Sequence, residues 1–487
     1  MHRHDPSIEE LTRAAVRFSV DRMRLDEPPL DAPRTPAELR EQVGDTITDR
    51  GIGGLEALRV FEEVLAPACI SVDHPRFLSF VPAAPTEASM LFDLVVGATN
   101  IYAGSWLEGA GAVFAENEAL RWVAATAGMP TGSGGVFVSG GTAGNLSALI
   151  AARWLWRNRA DGALDRTRGL VMTSSGAHSS VVQAARAMDA DVLAVPADDR
   201  GKLRGAALRH AVEVLHADDR ARLFAIVVTA GTTNAGVVDD IASTADVCDE
   251  LGTWMHVDGA YGGAGLLAPS VRHLYDGVER ADSFIVDPHK WLFAPFDSCA
   301  LVYRDPTIAR AAHTQHAEYL EVLRGADPLE TPWNPSDYAH HLSRRARGLP
   351  LWFSLATHGS DAYTEAVETT LATARAAAEV IATASHTELM LEPELSVVVF
   401  RRIGWTPEQY GAWSDRELAA GHAFVTPTSW AGETVLRICI VNPLTTVDDI
   451  RAIVDSLADD PCAPLATREE AAVSSFPESP DDGGTRG

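Results

Sequence analysis

Between Gly134 and Asp305 the sequence alternates short apolar runs with amphipathic stretches, and few architectures accept that rhythm. Seven runs have the length and near-continuous apolar character of strands covered on both faces: GGVFVSG, GLVMTSS, DVLAVPA, FAIVVTAG, WMHVDGAY, DSFIVDPH and CALVYRD. TAGNLSALIAARWLWRN, HSSVVQAARAM, AALRHAVEVLHA and DIASTADVCDELG lie between most of them and carry helical spacing. Strands joined by helical crossovers give an α/β fold: a mostly parallel, seven-stranded sheet with helices on both faces. Ligands of such open sheets sit beyond the carboxyl ends of the strands. The residues just after each apolar run are therefore where chemistry is expected.

The flanks read differently. With 487 residues the chain is too long for one ordinary core. Residues 1–95 are expected to form a helical arm, interrupted by EPPLDAPRTP, that lies on the main body or on a second subunit. Residues 96–350 hold the large α/β unit. Residues 351–460 predict a small α+β domain, with a long helix from Leu349, strands LSVVVFRRI and VLRICIVN, and a last helix near Thr446. Residues 461–487, rich in proline, glycine and acid, read as a disordered tail. The stretch from about 305 to 346 breaks the strand–helix rhythm. It is too long for a simple connector, and loops of that length are usually functional lids or disordered.

The net charge of −27 works against nucleic-acid and anionic-membrane partners by plain repulsion. No apolar run approaches the ~20 residues of a bilayer span, and MHRHDPSIEE lacks the apolar stretch of a signal peptide. Five cysteines without CxxC spacing fit a reduced, cytoplasmic protein. There is no HExxH, and no metal is expected.

Lysine usage narrows the chemistry. Of 40 basic residues only Lys202 and Lys290 are lysines. Arginine stays protonated in proteins, so lysine alone can serve as an amine nucleophile. Lys202 sits in the polar turn DDRGKLRG, whereas Lys290 sits in SFIVDPHKWLF, between an apolar run and a tryptophan. A lysine there either snorkels from a strand end or is kept for its amine.

Other candidates follow the other runs. SGGTAGN (Ser139 to Asn145) opens a helix after a strand, where free N–H groups and the helix dipole suit a phosphate monoester, with Thr142 adding a hydroxyl. It matches neither GxGxxG nor GxxxxGK[ST], and alone it is also what a plain turn needs. Asp258 ends a buried strand and needs a partner, either local backbone N–H groups or a protonated pyridine nitrogen. His178, in TSSGAHSSV, enters a helix or offers a flat ring to a cofactor. Thr232 and Thr233 close a turn or reach a ligand. Jointly the argument is stronger: a phosphate cup, a stacking ring, threonines, an acid and a lysine all fall at carboxyl ends of one sheet.

With HPRFLSFVP, SGGTAGN, HVDGAYGG, DPHKW and RARGLPLWF in that order, from His74 to about Leu457, the chain resembles the group II pyridoxal-phosphate decarboxylases, among them the aromatic-L-amino-acid, glutamate and histidine enzymes. The resemblance implies a fold-type-I homodimer with active sites at the subunit interface and pyridoxal 5'-phosphate as cofactor. It implies Lys290 as the Schiff-base lysine, Asp258 on the pyridine nitrogen and His178 stacked on the ring. Gly141 and Thr142 would hold the phosphate with His289 nearby, Thr233 would lie near the cofactor, and Ala260 under the ring. Tyr319, in HAEYLE, matches the family's loop tyrosine and would be the proton donor, which favours simple decarboxylation over aldehyde formation. Asp287 departs from the asparagine common in relatives, and a carboxylate there repels phosphate unless turned away or paired.

The residues matching the family's substrate pocket, Phe80, Val81, Pro82, Tyr102 and Trp106, are apolar or aromatic and imply a hydrophobic amino acid. Glu108 leaves a basic side chain such as that of diaminobutyrate as an alternative. Aldehyde-forming oxidative deamination, or carbon–sulfur chemistry, is a second pyridoxal-phosphate class. A non-catalytic interaction protein on an inherited fold is a third possibility, which the set Lys290, Asp258, His178 and Tyr319 argues against.

Overall fold

The structure is a computed structural model that describes residues 7–25, 27–159, 167–316, 318, 320 and 333–458. All seven expected runs become strands of one sheet: β1 (Gly134–Val138), β2 (Leu170–Ser174), β3 (Asp191–Val195), β4 (Leu223–Thr229), β5 (Trp254–Asp258), β6 (Ser283–Val286) and β7 (Cys299–Tyr303). Their spatial order is β1-β7-β6-β5-β4-β2-β3. The β2–β3, β2–β4, β4–β5 and β5–β6 pairs are parallel, and β7 alone runs against both its neighbours. Strands β2, β4, β5, β6 and β7 are buried at every position, while edge strand β3 is largely half-exposed. That gradient explains why the inner runs read as continuously apolar. Each fully buried Val or Leu side chain stabilises by about 1.5–3 kcal/mol, and every inner strand has both faces covered.

The C-terminal part contributes a second, four-stranded antiparallel sheet in the order β10-β11-β9-β8. Its strands are β8 (Thr387–Leu391), β9 (Val397–Arg402), β10 (Pro427–Trp430) and β11 (Glu433–Cys439). Strands β8 and β10 and the helix Pro407–Ala419 are additions to the sequence reading. The helix Leu349–Thr383 links the two sheets. Gly359, at φ +78°, breaks its helical geometry, a backbone state that glycine adopts without strain. Before the break Phe353 stacks on Phe92 at 4.2 Å between ring centroids. Beyond it Ala374, Ala377 and Ile381 enter the core of the small sheet.

The N-terminal helices Ser7–Met23 and Pro36–Val43 flank the proline-rich link as expected. The segment after His74 runs along the small sheet: Leu78 N–H donates to the Phe424 carbonyl (3.0 Å), and Cys439 N–H donates to the Leu78 carbonyl (2.9 Å). Among the described residues no helix is long and apolar enough to cross a membrane, and no group of three or more His, Cys, Asp or Glu could hold a metal ion.

Candidate active site

Five strands that share a direction end at one edge of the large sheet, and their following residues enclose a cleft of about 260 Å³. Strand β1 delivers Ser139 to Thr142, β2 delivers His178, β4 delivers Thr229, Gly231 and Thr233, β5 delivers Asp258 and Ala260, and β6 delivers Asp287, His289 and Lys290. Antiparallel β7 contributes no lining residue.

The first wall is the N-terminus of helix Gly141–Asn158. Gly140 has φ +129°, open to glycine but strained for other residues. A Cβ on Gly141 would lie 3.0 Å from the Ala260 Cβ and 3.2 Å from Asp287 Oδ2. A side chain here would crowd two other strand ends, so the helix start comes this close most easily as glycine. Its free N–H groups and dipole favour an anion.

Asp258 is 4% exposed. Its Oδ1 accepts the Ala260 N–H (3.1 Å) and its Oδ2 accepts from Asn145 Nδ2 (2.8 Å). Protein donors, one of them the local backbone N–H of Ala260, hold the carboxylate, and Asp258 lines the cleft. The His178 ring caps helix Ser179–Ala187, with Nδ1 accepting the Ser180 N–H (3.2 Å) and lying 2.8 Å from Ser180 Oγ.

Lys290 Nζ lies 2.9 Å from Asp287 Oδ2. Burial pushes the Lys290 amine down, but the Asp287 carboxylate beside it outweighs burial and the net direction is up. For Asp287 burial works upwards, and the charges of Lys290 and His289 turn the net direction downwards. Asp287 Oδ2 also accepts the Gly141 N–H (3.2 Å). The Asp287 carboxylate is thus paired through Oδ2, with an ammonium and a helix N–H. His289 Nδ1 is held against the Ser298 backbone, 2.7 Å from its carbonyl oxygen and 3.0 Å from its nitrogen, and burial lowers the His289 pKa. Lys202 pairs instead with Glu394 (2.9 Å), away from the cleft.

The remaining candidates divide. Thr233 lines the cleft, but Thr232 is buried and spends its hydroxyl on the Val237 N–H (3.1 Å). Tyr319 lies outside the described residues, as does the tail from 459 onwards. Phe80, Val81, Pro82, Tyr102 and Trp106 are not part of the cleft wall within one chain. Phe80 is 61% exposed beside the small sheet, its carbonyl held by Arg437 (2.6 Å). The Tyr102 hydroxyl donates to the Leu342 carbonyl (3.2 Å), and the Trp106 N–H donates to Asn334 Oδ1 (2.9 Å). Sequence reasoning missed Asn145, Ser180 and Thr229 as lining residues, and His256 behind them. Asn145 stands inside the quoted SGGTAGN, and His256 is two residues before Asp258, on the same face of its strand.

The chemistry of this donor set fits pyridoxal phosphate. A glycine-only cradle at a helix N-terminus suits the phosphate. A fixed carboxylate suits a cationic ring nitrogen, and a lysine amine suits the aldehyde. Thr229 Oγ1, buried on the cleft wall with no partner among the described residues, is the kind of group a ligand satisfies.

Known proteins agree. The family model described as "Pyridoxal-dependent decarboxylase conserved domain" matches residues 36–403. Aromatic-L-amino-acid decarboxylase of Bacillus atrophaeus is 28% identical over 464 residues, 92% of this chain and 94% of the relative. L-2,4-diaminobutyrate decarboxylase of Rhizobium meliloti (strain 1021) is 30% identical over 427 residues, 85% and 83% of the two chains. The crystal structure of Oryza sativa TDC with PLP and tryptamine superposes with a TM-score of 0.87 at 24% identity, covering 95% of this chain and 99% of that one. The chain belongs to the pyridoxal-dependent decarboxylases, carboxy-lyases that act on amino acids with pyridoxal phosphate as cofactor.

Proposed function

We propose that the substrate is an L-amino acid with an uncharged side chain, aromatic or otherwise hydrophobic, and that the product is the corresponding amine. The observation that carries this is the charge inventory of the cleft. Its only lysine or arginine among the described residues is Lys290, and its only acids are Asp258, hydrogen-bonded at both oxygens, and Asp287, ion-paired with Lys290 through Oδ2. A side-chain carboxylate or ammonium would find no free counter-ion there, and an unpaired charge in a cleft is costly. The Bacillus relative, by its name an aromatic-L-amino-acid decarboxylase, points the same way.

Pyridoxal phosphate, when bound, supplies the electron sink for the pair left behind by departing CO₂. The residues of this chain do the rest. Lys290 would hold the cofactor through its amine, and Asp258 would hold the ring nitrogen as a cation. Gly141, Thr142 and the helix N-terminus would hold the phosphate, with His289 and Asp287 beside it. His178 would cover the ring face, and Ala260 and Thr233 would complete the wall. Tyr319 would deliver the proton to the substrate Cα, a task for which a phenol has the proton and a phenyl ring does not.

A homodimer fits the surface. Phe80, Leu91, Leu94, Val95, Leu107 and Phe114 are large, apolar and 40–66% exposed. Exposed apolar surface of that extent marks an interaction site. The same partner would bring the expected pocket residues Phe80, Pro82, Tyr102 and Trp106 into an interface active site in a cytoplasmic enzyme.

A diamino acid is the second reading, favoured by the Rhizobium diaminobutyrate relative. Glu108, its sequence argument, is taken up at a helix start, where its Oε2 accepts from Ser105 Oγ (2.7 Å). Incubation with the twenty amino acids plus 2,4-diaminobutyrate, read by CO₂ and amine, decides between them. Turnover of aromatic or branched substrates is expected. Turnover of diaminobutyrate alone would overturn the first reading, and aldehyde with peroxide in place of amine would overturn simple decarboxylation.

A further inference from the structure

A buried file of polar side chains runs through the large sheet behind the cleft, linking groups that have no role in the chemistry above to two that do. Trp254 Nε1 donates to Ser283 Oγ (2.8 Å). Ser283 Oγ lies 2.7 Å from His256 Nδ1. His256 Nε2 lies 2.7 Å from Asn145 Oδ1. Asn145 Nδ2 donates to Asp258 Oδ2 and to Ser180 Oγ, both at 2.8 Å. Ser180 Oγ in turn lies 2.8 Å from His178 Nδ1. His256 and Ser283 are 0% exposed, Asn145 1% and Ser180 2%.

The carboxylate end of this file sets the direction of its hydrogen bonds. An indole N–H can only donate. Ser283 therefore receives the Trp254 proton, and its own O–H is free to point at His256 Nδ1. From the other end, a carboxylate can only accept. Asn145 must then turn its NH₂ towards Asp258, which turns its oxygen towards His256 and requires a proton on His256 Nε2. The Asp258 end requires the Nε2–H histidine, and the Trp254 end is compatible with it. Burial drives the His256 pKa down to about 4, against the pull of Asp258, which agrees with a neutral ring. The second proton of the Asn145 amide goes to Ser180, so the Ser180 hydroxyl points its proton at His178 Nδ1. The Ser180 backbone N–H points there as well (3.2 Å). His178 then keeps its proton on Nε2, the ring nitrogen without a partner among the described residues.

We propose that His256 and Asn145 are positioning residues that set two cofactor-facing groups at once: they lock the Asp258 carboxylate towards the ring nitrogen and lock His178 as the tautomer with an Nε2 proton to give. The inference rests on the reading of Asp258 and His178 as cofactor contacts. Its distinctive content is the coupling. One primary amide serves both groups, and its orientation is held by a histidine that reaches neither cofactor nor substrate. Without the His256 donor, the Asn145 oxygen is buried and unpaired. The amide then gains by turning over, and its oxygen meets the Asp258 carboxylate.

The test uses the holoenzyme carrying His256→Phe, His256→Gln, Ser283→Ala or Asp258→Asn. The readouts are the dissociation constant of pyridoxal phosphate and the pH titration of the bound cofactor's visible band. An unsatisfied buried acceptor implies about tenfold weaker cofactor binding in His256→Phe, with a band midpoint displaced by about half a pH unit or more. His256→Gln, whose amide N–H can replace Nε2–H, is expected within about threefold of the parent. Ser283→Ala, which frees the other tautomer of His256, should give the same signature at about threefold and serves where His256→Phe does not fold. Parent-like binding and titration in His256→Phe, or in Ser283→Ala where that variant stands in for it, overturns the relay. The same holds if His256→Gln is as impaired as His256→Phe. An Asp258→Asn protein indistinguishable from the parent removes the underlying reading of Asp258 and the relay with it. A changed Asp258→Asn beside an unchanged His256→Phe removes the relay alone.

Discussion

Replacing Asp287 by asparagine isolates what that carboxylate does to the Lys290 amine beside it. An amine must lose its proton before it can attack an aldehyde, and Asp287 opposes that loss from 2.9 Å. At an effective dielectric constant of about 20, a pair at that distance attracts with roughly 6 kcal/mol. Desolvation of the two charges takes back much of this, because Asp287 is 1% exposed and the Lys290 side chain only 22%. If only a quarter survives, about 1.4 kcal/mol, the neutral fraction of Lys290 at a given pH rises about tenfold on removing the carboxylate. In Asp287→Asn the new amide oxygen can still accept the Gly141 N–H, so the helix start keeps its partner. The assay is stopped-flow absorbance of cofactor-free protein mixed with pyridoxal from about pH 6 to about pH 9, parent against Asp287→Asn. Pyridoxal lacks the phosphate, so relief of carboxylate–phosphate repulsion cannot contribute. Covalent capture at least about tenfold faster near neutral pH is expected. Capture at the parental rate, or only at higher pH, would show that Asp287 does not govern the lysine. A gain seen with pyridoxal phosphate and not with pyridoxal would assign the effect to the phosphate instead.

Lys290→Ala should purify without the visible band, while Lys202→Ala, at the Glu394 pair, keeps it; spectra of both, with peptide mapping after borohydride, check this. Tyr319→Phe should divert product from amine towards aldehyde, read by chromatography, and equal amine yields would remove Tyr319 as proton donor. Glu116→Gln should cost about 3–5 kcal/mol in denaturant unfolding, because Arg344, fully buried, makes two bonds to that carboxylate (2.6 and 2.7 Å). Burial holds His256 near a pKa of about 4, against 6.5 for an unhindered ring. The unfolded chain therefore binds a proton that the folded one refuses. Stability present above about pH 6.5 should fall by about 1.4 kcal/mol per pH unit on the way to about pH 4, and His256→Gln should lack that component in parallel melts.

How much of this was legible in the sequence follows from what each signal encodes. The inner strands were readable because strands covered on both faces must be apolar throughout, and the sheet buries β2, β4, β5, β6 and β7 at every position; half-exposed β3 was readable from the apolar run DVLAV and its place in the strand–helix rhythm. Strands β8 and β10 were not, because TELML and PTSW are largely half-exposed or exposed and lack that continuity. The cleft residues were readable through a different rule, that function gathers after parallel strands, and it located Gly141, His178, Thr233, Asp258 and Lys290 on one cleft. It was silent on which of two adjacent threonines faces inward. A turn bond to the Val237 N–H turns Thr232 away, and such bonds leave no periodic trace.

The groups that orient the site were the hardest to see, for a physical reason. A polar residue inside an apolar run is tolerated only when something pairs it, so Asn145 and His256 announce that partners exist. The partners lie 113 and 111 residues away, on different elements, and periodicity reports faces, not pairings. The informative sign is an exception: in WMHVD, the face that ends in Asp258 also carries Trp254 and His256, three side chains that each need a hydrogen-bond partner on one side of a fully buried strand. A core accepts three such groups on one strand only if they are wired together. Here the wire leads to the carboxylate at its end.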